Sequence, residues 1–158
     1  MIFITVGSQK FQFNRLLEAA DELVASGVIK EEVFAQTGYS DYNPRNYAYR
    51  DFLDHDEFSE YEKKADIVIT HGGTGAIIGA VKNGKKVIAV PRLAKYGEHV
   101  DDHQTQLIRQ FRDQNLICGL DDTDNLEEAL RYVKTHEFDS YESNTGRIIE
   151  GIEKFINQ

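Results

Sequence analysis

The chain has 158 residues, 41% hydrophobic and 28% charged, the size and balance of one globular domain rather than a disordered chain. A formal net charge of −9, with no cluster of Lys and Arg interleaved with aromatics, excludes a nucleic-acid surface and direct adhesion to anionic lipid. No apolar stretch reaches membrane-spanning length and the first seven residues lack a basic flank, so the sequence predicts a cytoplasmic protein that is not inserted in the membrane, and any membrane association, such as recruitment to its inner face, must come through a partner.

Ile2, Phe3, Ile4, Thr5 and Val6 form a continuous apolar and β-branched run stopped by Gly7, the pattern of a strand buried on both faces. From Phe13 onward Leu16, Leu17, Ala20, Leu23 and Val24 recur at helical spacing until Gly27. Residues 33–37 read as a second strand, followed by a loop rich in Tyr, Asp, Asn and Pro. A short third strand is predicted over 47–53, and a helix over 56–64 capped by Asp54 or Asp56. Residues 66–70, 86–90 and 115–118 read as strands four to six. Helices are predicted over 75–82, 100–112, 123–135 and 143–156, the last carrying Ile148, Ile149, Ile152, Phe155 and Ile156 on one stripe. Such alternation predicts an α/β fold, a doubly wound parallel sheet in a single domain, 1–158. The one cysteine, Cys118, cannot form an intrachain disulfide, which fits a reducing compartment, and no neighbouring positive group activates it as a nucleophile.

The chemistry concentrates between residues 65 and 106. Strand four opens into His71, Gly72, Gly73, Thr74, Gly75 and Ala76 and then into a helix. Glycines there let backbone approach a ligand while amides point at an anion. A tight turn needing glycine alone is the plainer alternative, and the flanking His and Thr weigh against it. Gly7, Ser8 and Gln9 end strand one, the other natural anion-contact point, although a simple turn accounts for Gly7 equally well. Asp102, His103 and Gln104 place hydrogen-bonding groups at a helix N-terminus, suited to sugar hydroxyls and a pyrophosphate; an acidic first turn complementing the helix dipole competes. His99 and His103 sit four apart with Asp102 beside them, but no third ligand is evident and no metal site is assigned.

A Gly-x-Gly-x-x-Gly fingerprint is missing, which disfavours a dehydrogenase. Residues 79–85 imitate a nucleotide-binding P-loop, yet Lys86 stands where Ser or Thr should hold the metal, and the segment ends a helix. Gly84 is read as a C-cap. Tyr39, Tyr42, Tyr47 and Tyr49 either line a partner surface or pack against the sheet, with at least half expected at the core or its boundary. His55 and His136 read as solvated surface residues.

The runs 2–8 and 65–75, with Val90, Pro91, Asp102, His103 and Gln104, resemble the C-terminal domain of family 28 glycosyltransferases over nearly the whole chain. More closely, the chain resembles the short catalytic subunits of two-part sugar transferases, of the bacterial exopolysaccharide and capsule β-1,4-galactosyltransferase type and the dolichol-pathway UDP-GlcNAc transferase type. The resemblance implies a Rossmann-like GT-B C-terminal half that binds a UDP-sugar, without cofactor or metal. It also implies a membrane-associated acceptor-binding glycosyltransferase subunit as partner, holding a lipid-linked saccharide acceptor. By the same likeness Ser8 and residues 71–76 contact the donor diphosphate, Asp102 and Gln104 the sugar, and backbone at Phe52 and Leu53 the uracil. Gly79 stands where many relatives carry an acidic residue for the ribose hydroxyls, and Glu98 and His99 are the candidates to replace it. The implied activity is inverting transfer of a hexose, galactose first, from UDP-hexose in exopolysaccharide or capsule assembly. The catalytic base is left to the other half. Two other classes stay open: a non-catalytic nucleotide-sugar-binding or regulatory module, and a structural subunit that docks through the stripe of residues 148–156.

Overall fold

The computed structural model describes residues 1–140, so the helix expected over 143–156 lies outside the described residues. Six strands make one parallel sheet: β1 (Ile2–Thr5), β2 (Val33–Gln36), β3 (Ala48–Arg50), β4 (Ile67–Thr70), β5 (Lys86–Ala89) and β6 (Cys118–Gly119). Their spatial order is β3-β2-β1-β4-β5-β6. Around it lie α1 (Asn14–Ala25), α2 (His55–Lys64), α3 (Thr74–Lys82), α4 (His103–Asp113) and α5 (Leu126–Thr135).

Successive side chains of a strand point to opposite faces, and both faces of this sheet are covered. Ile2, Ile4 and Val6 pack with Leu16 and Leu17 of α1 and Leu130 and Val133 of α5. Phe3, between them in sequence, faces Ile77 of α3 and Leu107, Ile108 and Phe111 of α4, with Phe58 and Tyr61 of α2 against its ring. This two-sided burial is why the β1 run is apolar at nearly every position.

The carboxyl ends of the central strands are level, Thr5 pairing with Gln36 on one side and Thr70 on the other, and Thr70 with Ala89. Strand order reverses between β1 and β4. The loops leaving these two strands therefore diverge and open a crevice, the place where open α/β sheets bind ligands.

Among the boundaries that differ from the sequence expectation, three have an evident local cause. β3 is only three residues long and exposed, because residues 51–53 already lead into the Asp54 cap of α2, where Asp54 and Glu57 form a reciprocal capping box. β6 starts at Cys118 because Asn115 takes a left-handed conformation at φ 58°, which an extended strand cannot accommodate. α4 starts at His103 rather than residue 100, since the preceding residues form a turn in which Asp101 Oδ1 accepts the His103 N–H and Asp102 Oδ1 the Ala94 N–H. Gly84 does close α3, at φ 71°.

The tyrosine loop divides as expected. Tyr47 donates to the Leu17 carbonyl and Tyr42 to the buried Asp21, while Tyr39 and Tyr49 are exposed. His136 departs from its expectation: it is half-buried, with Nε2 at 2.5 Å from Asn115 Oδ1 and its ring stacked on Tyr132.

Candidate functional site

His71 leaves the end of β4 and turns its ring across the crevice. A Cβ on Gly7 would stand 2.5 Å from His71 Nε2, and one on Gly73 would stand 2.4 Å from Cε1 and 2.6 Å from Nε2. The imidazole thus occupies the space that side chains at these two positions would need. Gly7 also sits at φ 76°, a left-handed backbone that other residues rarely adopt. The ring is 4% exposed. Burial, with Arg92 and His99 adding repulsion, pushes the His71 pKa down to about 3, so the ring is neutral at physiological pH.

Beside it begins α3, whose N-cap is Gly73, with no side-chain cap and no acidic residue in the first turn. The amides of Thr74, Gly75 and Ala76 are the orphan donors of a helix N-terminus and face the carboxyl edge of the sheet. Ser8 and Gln9 are exposed where β1 ends. Phe52 and Leu53 lie on the same carboxyl edge, beyond β3. Phe52 is half-exposed, edge-on to Tyr39 at 5.2 Å, and the Leu53 N–H donates to Gln36 Oε1.

The segment 98–104 is arranged differently from its expectation. Glu98 is fully buried, and its carboxylate accepts Arg15 Nε and Nη2 at 3.1 and 3.0 Å and the Leu93 N–H at 3.0 Å, so it is not placed to meet a ribose. Gln104 is 6% exposed, and its Oε1 accepts the Gly72 and Arg92 N–H groups, both at 3.0 Å. Its amide holds the glycine turn instead of reaching open space for a sugar. His99 precedes α4, its ring tilted against Phe11 at 5.7 Å, so it shares no helical face with His103; both rings turn toward Asp101 instead, at 3.1 and 3.5 Å. Asp102 and His103 are exposed, and Asp102 already accepts the Ala94 N–H. No acid stands at Gly79; the nearest, Glu62 Oε1, is 3.9 Å from where its Cβ would be and accepts from Asn83 Nδ2.

Two arginines underlie the crevice and were not singled out from the sequence. Arg92 is fully buried just after β5, and its guanidinium donates to the carbonyls of Val6, Phe11, Gln12 and Glu98. Burial pushes its pKa down to about 10, with Glu98 pulling it back, and it stays charged at neutral pH. Arg15 pairs with Glu98 and with Asp122 at 2.6 Å, and lies over the Tyr96 ring. The only signal in the sequence was an arginine placed directly after the buried Val90 and Pro91, where a charge has to find partners.

Over residues 1–158 the sequence matches the glycosyltransferase family 28 C-terminal domain. The chain belongs to this family. It is 35% identical over 72 residues to the UDP-N-acetylglucosamine transferase subunit ALG13 of Kluyveromyces lactis, a stretch covering 46% of this chain and 34% of that protein. The chain therefore spans about a third of the curated relative it matches. Similar solved structures include the glycotransferase of kitacinnamycin (TM-score 0.63, 16% identity, 99% of this chain and 39% of the other). The glycosyltransferase SnogD from Streptomyces nogalater (0.61, 15%, 99% and 39%) and MurG from Acinetobacter baumannii (0.54, 17%, 96% and 49%) are also similar. At these identities they show the fold, and it is the α/β GT-B half expected from the sequence.

In this family 28 domain the crevice lies where the strand order reverses, between the ends of β1 and β4. A cavity of about 670 Å³ lies at the opposite end of the sheet, among Lys85, Lys86, Thr135 and His136, and brings no candidate site residue together. Cys118 of the family 28 domain is half-buried, and burial pushes its thiol pKa up, in keeping with an inert side chain. Among its described residues no helix is long and apolar enough to cross a membrane.

Proposed function

We propose that this family 28 domain binds the diphosphate of a UDP-sugar at the β1–β4 crevice and acts as the donor half of an inverting hexosyltransferase. The observation that carries the reading is the glycine turn wrapped around a buried neutral imidazole, beside the uncapped N-terminus of α3. As the sugar departs, negative charge grows on UDP. Helix amides, an imidazole N–H and the buried Arg92 charge oppose that growth in a fixed arrangement, which is the form of stabilisation that lowers a barrier most. They substitute for a divalent cation, so turnover without added metal is expected. Galactose is the first candidate for the sugar, destined for a lipid-linked saccharide in exopolysaccharide or capsule assembly. N-acetylglucosamine, named in the K. lactis relative, is the second. The general base and the acceptor site belong to a separate membrane-associated half, a division supported by the word subunit in that relative's name.

The deciding experiment is calorimetric titration with UDP, UDP-galactose, UDP-glucose, UDP-N-acetylglucosamine and NAD, with and without magnesium. Saturable UDP binding without metal, lost in Gly73→Asp, is the expected result, and the sugar series ranks the donors. Binding of NAD alone, or of none of the five, would overturn the reading. A non-catalytic nucleotide-sugar-binding module is the second reading, favoured by Gly79 and by the burial of Glu98, which together leave the ribose without an evident carboxylate. Transfer in the presence of a cognate acceptor half would exclude it.

A further inference from the structure

We infer that Gln104 is a positioning residue that locks His71 as the Nε2–H tautomer, so that a fixed hydrogen-bond donor points into the gap between Gly7 and Gly73. The orientation of the Gln104 amide is set by the backbone. Its Oε1 receives two N–H groups, from Gly72 and from Arg92, each at 3.0 Å, and only an oxygen can accept both. The other end of the amide is then the NH₂ group, 3.3 Å from His71 Nδ1. Since an amide NH₂ can only donate, Nδ1 must accept, and the single proton of a neutral imidazole is left on Nε2.

Nε2 lies against the missing side chains of both glycines. A Cβ on Gly7 or on Gly73 would fall 2.5 or 2.6 Å from it, so both bare backbones are moulded to this nitrogen. The charged and titratable groups around the ring are Arg92, from the segment after β5, and His99, from the loop before α4; both disfavour a second proton, as burial does. The donor therefore stays a neutral N–H across the physiological range and does not switch with pH. Oε1 of the same amide also holds the Gly72 and Arg92 amides in place. One side chain thus fixes the turn, the segment after β5 and the proton of the imidazole between them.

The ligand half of the test rests on the UDP reading, whereas the tautomer half does not. Long-range ¹H–¹⁵N spectra of the wild-type chain should show His71 with a protonated Nε2 and a bare Nδ1, unchanged from pH 5.5 to 8. Gln104→Glu keeps the size and the acceptor for both backbone amides but replaces the NH₂ group by a second acceptor. In that variant Nδ1 should gain a proton, and UDP affinity at pH 8 should fall at least tenfold while the melting profile stays cooperative. A wild-type His71 protonated on Nδ1, or a Gln104→Glu variant in which Nδ1 stays bare, would overturn the inference. Absence of UDP binding to a wild-type chain that shows the expected tautomer would instead count against the functional reading alone.

Discussion

At the scale of single residues, His71 makes the clearest demand on pH. Its folded pKa of about 3 lies below the ordinary value of 6.5, so below pH 6.5 the unfolded chain takes up a proton that the folded chain refuses. The stability that depends on the neutral ring is complete above pH 6.5 and drains away as pH falls toward 3. Between pH 7 and 5.5 the unfolding free energy should drop by about 1 kcal/mol on this account. Carboxylates held below their usual range, such as Asp21 and Asp101, act only further into acid. Urea midpoints at the two pH values measure the drop, and His71→Asn should flatten it; an equal slope in the variant would assign the effect elsewhere. Gly73→Ala tests the other side of the contact. Its Cβ would meet the ring at 2.4 Å, and the buried ring has little room to yield, so a loss of about 1–3 kcal/mol in stability is expected, together with weakened UDP binding. That the glycines of residues 72–75 make room for a close approach was legible. What they accommodate was not, because a His71 ring lodged against Gly7, 64 residues earlier in the sequence, leaves no local pattern.

Among the elements, the β1–α1 connection matters most, because it carries Ser8 and Gln9 to the crevice and has no secondary structure of its own. Arg92 holds it from beneath, donating to Val6, Phe11 and Gln12 while also fixing Glu98. A lysine ammonium keeps the charge but cannot reproduce a planar fork serving carbonyls on several sides. Arg92→Lys should therefore cost about 2–4 kcal/mol through buried carbonyls left unpaired. Hydrogen exchange should quicken at residues 7–13 while the β4 and β5 amides keep their protection; uniform loss across the sheet would mean that the arginine supports the whole core. Helix and strand placement was largely legible at this scale, since apolar runs and helical stripes are local signals. The start of α4 was missed because Asp101 and Asp102 use their carboxylates to build a turn, and acidic residues near a helix start read the same way whether they stand inside its first turn or just before it.

For the whole molecule, alternating strands and helices indicated a parallel sheet, and the strand reversal between β1 and β4 places the Gly7 and His71 turns side by side. That adjacency is set by the long-range order of strands, which periodicity alone does not contain. On the proposed reading the isolated chain binds UDP-sugar without a base to deprotonate an acceptor. Mixed with the lipid-linked acceptor alone it should release UDP at background rate. Adding the membrane-associated half should raise transfer by the 10²–10⁴-fold or so that a positioned base contributes, and further as the closed cleft excludes water. Gly73→Asp should abolish this gain through lost donor binding, whereas a base variant in the acceptor half should lower the rate and leave UDP affinity on this chain unchanged. Full transfer by the isolated chain would place the base within it. Among its described residues Asp101 and Asp102 would then come ahead of Glu98 as candidates, because they are less buried and their use would not break the Arg15 pair.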